Sequence, residues 1–221
     1  GAESMRYRAV VFDLDGTLVD SLEDLAASGN ELLAGYGKPP HVVDEYRYFV
    51  GNGSRTLIER LLPEAEEPVI KEALAKYKEI YARSLLRKTK PYPGILALLT
   101  DLQKRQIPMA VCTNKHPSAA ETVIGTLFPS NIFNAYVGDR SGVPRKPDPA
   151  NLFYVLEKLG VSPKETAYLG DTSVDMQTAV RAGALPVGVL WGFRDKAELL
   201  ASGAQVLLAH PAELLAKVDF V

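Results

Sequence analysis

Apolar and polar positions along the chain follow two regimes that meet near Lys90. Ala9-Val10-Val11-Phe12 is an uninterrupted apolar run, broken abruptly by Asp13-Leu14-Asp15-Gly16-Thr17. A β-branched and aromatic run without alternation predicts a strand buried on both faces, as in parallel sheets. From Val19 onward the spacing turns helical. Ser21 is placed to cap a helix running to about Tyr36, with Glu23 and Asp24 in its first turn and Gly37 and Pro39-Pro40 as its stop. Helical spacing continues over 41–49, 54–62 and 66–87. In the last of these Val69, Ile70, Ala73, Leu74, Tyr77, Ile80, Tyr81 and Leu85 recur at three and four residues as an apolar stripe. No strand is predicted between Val19 and Lys90.

Beyond Pro91-Tyr92-Pro93-Gly94 strands and helices alternate. The pattern predicts helices over 95–105, 117–127, 151–159 and 174–182, the last two closed by Gly160 and Gly183. Strands are predicted over 108–113, 135–138, 167–170, 185–190 and 205–208, with Pro211 opening a final helix. Such alternation predicts an α/β fold, a three-layer Rossmann-like parallel sheet. The all-α stretch then reads as an inserted helical cap domain over 19–90, with the α/β core made of 5–18 and 91–221. Gly1-Ala2-Glu3-Ser4, ahead of Met5, reads as an expression remnant outside the fold.

Composition narrows the class. The 221 residues are 47% hydrophobic and 24% charged, the profile of an ordinary globular protein. Lys and Arg total 25 against 27 Asp and Glu, so no bulk positive charge points to a nucleic-acid partner. No apolar run approaches the roughly 18 residues that span a bilayer, and no membrane partner is expected. Cys112 is the only cysteine, which excludes an intrachain disulfide and fits a reducing, cytoplasmic setting. The apolar stripes leave monomer and homodimer both open.

The chemistry collects at strand ends. Asp13 and Asp15 follow the first strand, and Thr113 and Asn114 follow Met109-Ala110-Val111-Cys112. Lys146 precedes a helix, Asp171 follows Ala167-Tyr168-Leu169-Gly170, and Asp175 lies in the next helical turn. Singly, each fits a turn, a cap or a solvated charge. Together they sit at successive carboxyl ends of one parallel sheet, where ligands bind. Asp13, Asp15, Asp171 and Asp175 in one cleft strongly resist joint ionisation. A divalent cation with Lys146 would offset them, and an all-oxygen donor set favours Mg²⁺ over zinc.

Asp13-Leu14-Asp15-Gly16-Thr17-Leu18, Thr113, Lys146 and Gly170-Asp171-Thr172-Ser173-Val174-Asp175 resemble, in order and spacing, the four motifs of the haloacid dehalogenase superfamily. The resemblance implies a hydrolase acting on a small phosphate ester. Asp13 is then the nucleophile that forms an aspartyl-phosphate, and Asp15 the acid/base whose backbone carbonyl also ligates Mg²⁺. Thr113 and Lys146 hold phosphate oxygens, Asp171 ligates the metal and Asp175 orients its waters. The amides of Leu14 to Thr17, with Gly16 and Thr17 at their centre, form an anion-binding nest, and Asn114 is a further substrate contact. An acid at Asp15 implies ester hydrolysis or a phosphomutase. The helical block and the loop Val50-Gly51-Asn52-Gly53-Ser54-Arg55 resemble the phosphoglycolate phosphatase and phosphoglucomutase branch. Asn52 and Arg55 are therefore candidate substrate contacts, Arg55 as a fork for a carboxylate, although a plain turn with a solvated Arg fits as well. The endings around Trp191-Gly192-Phe193 and His210-Pro211 share that resemblance, with Trp191 and Phe193 expected to pack the core. The substrate so implied is 2-phosphoglycolate. A β-phosphoglucomutase, a pyrophosphatase or nucleotidase, and a catalytically idle binding protein are the alternatives.

Overall fold

β1 (Ala9–Phe12) is fully buried along its length in a computed structural model that describes residues 6–221. The proposed remnant Gly1–Ser4 lies outside the described residues. β1 pairs in parallel with β4 (Met109–Cys112) on one side and β6 (Thr166–Gly170) on the other. β5 (Ala135–Val137), β7 (Leu185–Val189) and β8 (Val206–Leu208) extend a six-stranded parallel sheet in the order β5-β4-β1-β6-β7-β8. The strands reverse direction of growth beside β1, so the carboxyl end of β1 faces the crevice where such sheets bind ligands.

Alternate residues of β1 serve opposite faces, which is why the run carries no polar position. Val11, with Ala110, Cys112 and Tyr168, packs against Leu152, Val155 and Leu156 of α6 (Ala150–Leu159) and Ala179 of α7 (Ser173–Ala182). Val10 and Phe12 belong to the other core, with α4 (Ile95–Lys104), α5 (Pro117–Leu127) and the helical block. The three-layer α/β architecture read from the alternation is the observed one.

The block between Asp20 and Lys90 is helical, but its two crossings pair as a short antiparallel ribbon, β2 (Val19–Asp20) with β3 (Lys90–Pro91). Two-residue strands leave no periodic signal, so the pattern missed them. α1 (Leu22–Gly35) starts after Ser21, whose hydroxyl bonds Asp15 Oδ1 at 2.6 Å instead of capping the helix. The segment Val43–Tyr48 is a 3₁₀-helix, shorter than expected over 41–49. α2 (Ser54–Leu61) and α3 (Glu67–Ser84) follow, α3 ending three residues before Arg87. The α3 stripe is observed in part: Ile70, Ala73, Tyr77 and Tyr81 are buried, Leu74 and Ile80 half-buried, and Val69 is exposed. α8 (Lys196–Ala201) escaped the pattern, being under two turns long and started by Asp195 accepting from the Glu198 amide. The last helix, α9 (Leu214–Lys217), follows a 3₁₀ turn over Pro211–Glu213. Among the described residues no helix is long and apolar enough to cross a membrane.

Candidate active site

The chain turns sharply where β1 ends. Gly16 donates its amide to the Val19 carbonyl at 2.9 Å, and Thr17 and Leu18 donate theirs to Leu14 at 3.2 and 2.9 Å. Gly16 sits at φ +84°, and a Cβ there would lie 2.0 Å from Asp171 Oδ2. Only glycine combines that backbone with so close an approach of a carboxylate. The turn also withdraws amides: Leu14 donates to Asp13 Oδ1 at 2.8 Å. Of the four amides expected to form a nest, those of Leu14, Gly16 and Thr17 are therefore engaged within the turn. Gly16 and Thr17 instead seat Asp171, whose Oδ1 accepts from the Thr17 hydroxyl at 3.2 Å and whose Oδ2 accepts from the Phe193 amide at 3.0 Å.

Asp171 and Asp175 are placed by the junction of β6 and α7. Thr172 caps α7 and Asp175 completes a reciprocal capping box. Asp175 Oδ2 accepts from the Asp171 and Thr172 amides at 3.1 and 3.3 Å, while Oδ1 accepts from Lys146 Nζ at 2.8 Å and from the Tyr168 hydroxyl at 2.9 Å. Both oxygens are thus hydrogen-bonded, and Asp175 holds loop and lysine in place. Lys146, itself 2% exposed, also donates to Asp13 Oδ1 at 3.1 Å and to the Cys112 carbonyl at 2.8 Å.

Three buried carboxylates cluster here and two of them, Asp13 and Asp175, share one buried ammonium; the titration of each follows. Burial, then Asp175, pushes Asp13 well above the usual carboxylate range, against the pull of Lys146. Burial and Asp175 bring Asp171 up to about 7. Burial opposes ionisation of Asp175 too, but its ion pair and hydrogen bond with Lys146 outweigh it and hold Asp175 low. For Lys146, Asp13 and Asp175 outweigh desolvation and keep the ammonium charged. Asp13, Asp171 and Asp175 each offer an oxygen, all within 4.8 Å of one another. This negative surplus and hard-oxygen donor set fit a divalent cation.

Asp15 points elsewhere. Its carboxylate accepts from Ser21 and from both contacts of Lys115 Nζ, at 3.0 and 3.1 Å, which leaves only its backbone for the metal role that the resemblance implies. Lys115 is 8% exposed and also bonds the Tyr81 hydroxyl of α3. Nothing in the hydrophobic pattern singled out Lys115. Its position directly after Thr113-Asn114 at a strand end was the available signal.

Asp13, Asp15, Thr113 and Lys115 line one cavity of about 350 Å³, closed on the far side by the helical block. Two of the expected substrate contacts are placed differently from expectation. Asn114 Nδ2 donates to the Gly51 and Lys146 carbonyls at 3.1 and 3.0 Å, and its Oδ1 accepts from the Lys146 amide at 2.9 Å. Its side chain thus clamps loops, so that of Asn114, which lines the cavity, the backbone is what remains for a substrate contact. Arg55 is drawn to Glu67 and, at 3.7 Å, to Glu59, because these carboxylates lie beside it on the helical surface. It lines a neighbouring depression instead of this cavity. Asn52 does not line the cavity; its carbonyl accepts from Arg145 at 3.1 Å, and its neighbours Gly51, Gly53 and Ser54 line the cavity. Phe193 packs as expected and Trp191 is partly buried, its Nε1 donating to the Thr17 carbonyl at 2.9 Å.

Comparison with known proteins agrees with this geometry. Residues 10–189 match the model of the haloacid dehalogenase-like hydrolases. A Pseudomonas putida protein named phosphoglycolate phosphatase is 35% identical over 214 residues, 94% of this chain and 78% of that one. One from Yersinia pestis with the same name is 32% identical over 94% of this chain and 91% of its own length. A solved structure from Lactobacillus delbrueckii subsp. bulgaricus superposes with a TM-score of 0.90 at 29% identity, covering 97% of this chain and 99% of that one. The chain belongs to the haloacid dehalogenase-like hydrolase family, and it shares its α/β fold with that solved relative. Its likeness runs to the phosphoglycolate phosphatase-like branch, as the motifs implied.

Proposed function

We propose that the protein is a Mg²⁺-dependent phosphatase that cleaves a small phosphate monoester through an aspartyl-phosphate, with 2-phosphoglycolate as its substrate. The observation that carries this reading is the buried cluster of Asp13, Asp171 and Asp175, with Lys146 paired to Asp13 and Asp175, from which Asp13 opens with Asp15 onto one chamber. Asp13, Asp171 and, through ordered ligands, Asp175 would hold the metal. A bound Mg²⁺ supplies positive charge that balances the carboxylates and a phosphate oxygen. Lys146 orients Asp13 and, together with the metal's charge, would favour its ionised form against burial, and Asp13 attacks phosphorus as the ester oxygen leaves. Asp15, next to the leaving group, gives that oxygen its proton and then takes one from the water that cleaves the acyl phosphate. The Thr113 hydroxyl, free to donate while its oxygen accepts from the Lys115 amide at 3.0 Å, steadies a phosphate oxygen.

Residues 19–90 act as a cap domain that excludes water and selects the leaving group. The phosphoglycolate assignment rests on the relatives of that name, and the lone buried Cys112 supports a cytoplasmic setting. Phosphate release from a panel of small esters tests the reading. The expected result is highest kcat/KM on 2-phosphoglycolate, loss with EDTA, rescue by Mg²⁺, and turnover abolished by Asp13→Asn. Best turnover on a hexose phosphate or nucleotide would overturn the substrate. Conversion of β-glucose 1-phosphate to the 6-phosphate without phosphate release would overturn hydrolysis.

A further inference from the structure

The cavity carries one polar group that the chemistry above leaves idle. Tyr77 of α3 is 2% exposed, lines the chamber with Asp13 and Asp15, and its hydroxyl is the one buried side-chain polar atom among the described residues without a hydrogen-bond partner. Buried hydroxyls of this kind are rare, because an unmade hydrogen bond forfeits the solvation lost on folding. Its ring is held in place by stacking on Tyr81, centroids 5.8 Å apart and planes 11° from parallel. Tyr81 is itself fastened to Lys115 and through it to Asp15. The idle hydroxyl is therefore anchored to the same scaffold as the proposed acid/base. Beside its polar residues the chamber wall carries an apolar set, Leu25, Val50, Leu57, Leu85 and Phe193.

We propose that the Tyr77 hydroxyl is a specificity-determining group that donates a hydrogen bond to an oxygen acceptor on the substrate's leaving group. The substrate class is then a phosphate ester with a short, largely apolar body and one such oxygen, of which the carboxylate of phosphoglycolate is one form. An apolar chamber gives little discrimination by itself, whereas a buried donor left unpaired by the wrong ligand penalises that ligand strongly. Burial holds the phenol in its neutral O–H form, so it is a donor across the working pH range. The inference rests on the phosphatase reading.

The test is the ratio of kcat/KM for oxygen-bearing esters (2-phosphoglycolate and 2-hydroxyethyl phosphate) to that for ethyl phosphate, in wild type and Tyr77→Phe. Removal of the hydroxyl is expected to lower that ratio by about tenfold or more, mainly through KM. Tyr77→Phe also removes an unpaired polar atom without changing ring packing, so its melting temperature is expected to match or exceed that of wild type. A ratio within about twofold of wild type in this folded variant would overturn the proposal, assigning the hydroxyl to bound water or to nothing. If an oxygen-bearing ester other than phosphoglycolate is preferred and Tyr77→Phe erases the preference, the phosphoglycolate assignment fails and this inference stands. If wild type cleaves none of the esters, both fall.

Discussion

Asp171 is held by the fold in a state that opposes its own ionisation. A carboxylate raised from 3.8 to about 7 binds its proton more tightly folded than unfolded. The metal-free protein therefore loses stability as pH climbs through that interval, by on the order of a few kcal/mol. Thermal melts in EDTA should show a melting temperature that falls from pH 5 to pH 8. Asp171→Asn should flatten that slope, raise the melting temperature at pH 8, and abolish turnover. Lys146 is the opposite case. Replacing it with Met leaves Asp13 and Asp175 buried together without their cation, a loss of about 3–5 kcal/mol that denaturant unfolding at neutral pH would register. These side chains were recognisable as residue types at strand ends. That Asp175 spends both oxygens on the loop and Lys146, and that Lys115 grips Asp15, was not. Partners far apart in sequence meet only when β1, β4 and β6 align.

At the scale of elements, the helical block is tied back to its own beginning by a single buried carboxylate. Asp24 of α1 accepts from the Lys88 and Thr89 amides, each at 2.9 Å, and from the Thr89 hydroxyl at 2.7 Å, just ahead of β3. In the sequence Asp24 reads as a first-turn partner of the helix dipole, and nothing local distinguishes it from its exposed neighbour Glu23. Asp24→Ala should cost about 2–4 kcal/mol, since it strands several buried donors. Chemical denaturation would show this, whereas Glu23→Ala should shift the midpoint little. The regular elements themselves were legible wherever a run or stripe lasted two turns or more, as in β1, α3 and α5. The β2–β3 ribbon and α8 were not, because their stability comes from pairing and capping instead of periodicity.

Across the whole molecule, Lys115 links three elements: the turn after β1 through Asp15, the end of β4 through its own backbone, and α3 through Tyr81. Lys115→Met keeps the apolar stem but frees both partners. It should lower kcat by about ten- to a hundredfold. It should also speed amide exchange around Tyr77 and Tyr81, read by hydrogen–deuterium exchange against wild type. Mutation of Arg55, which faces Glu67 outside the chamber, should affect neither.

Composition and periodicity by themselves determined the α/β class, the position of the helical insertion and the set of acids and cations at the strand ends. Those follow from local rules: what a doubly buried strand must contain, and which residue types bind metal and phosphate. Which of the candidates face the chamber was decided by tertiary structure alone. Arg55 had the right chemistry, but Glu67 and Glu59 satisfied it first, and carbonyls took the side-chain amide of Asn114, while Lys115 and Tyr77 were brought in by packing. A polar side chain goes to the strongest partner within reach, and reach is a property of the folded chain.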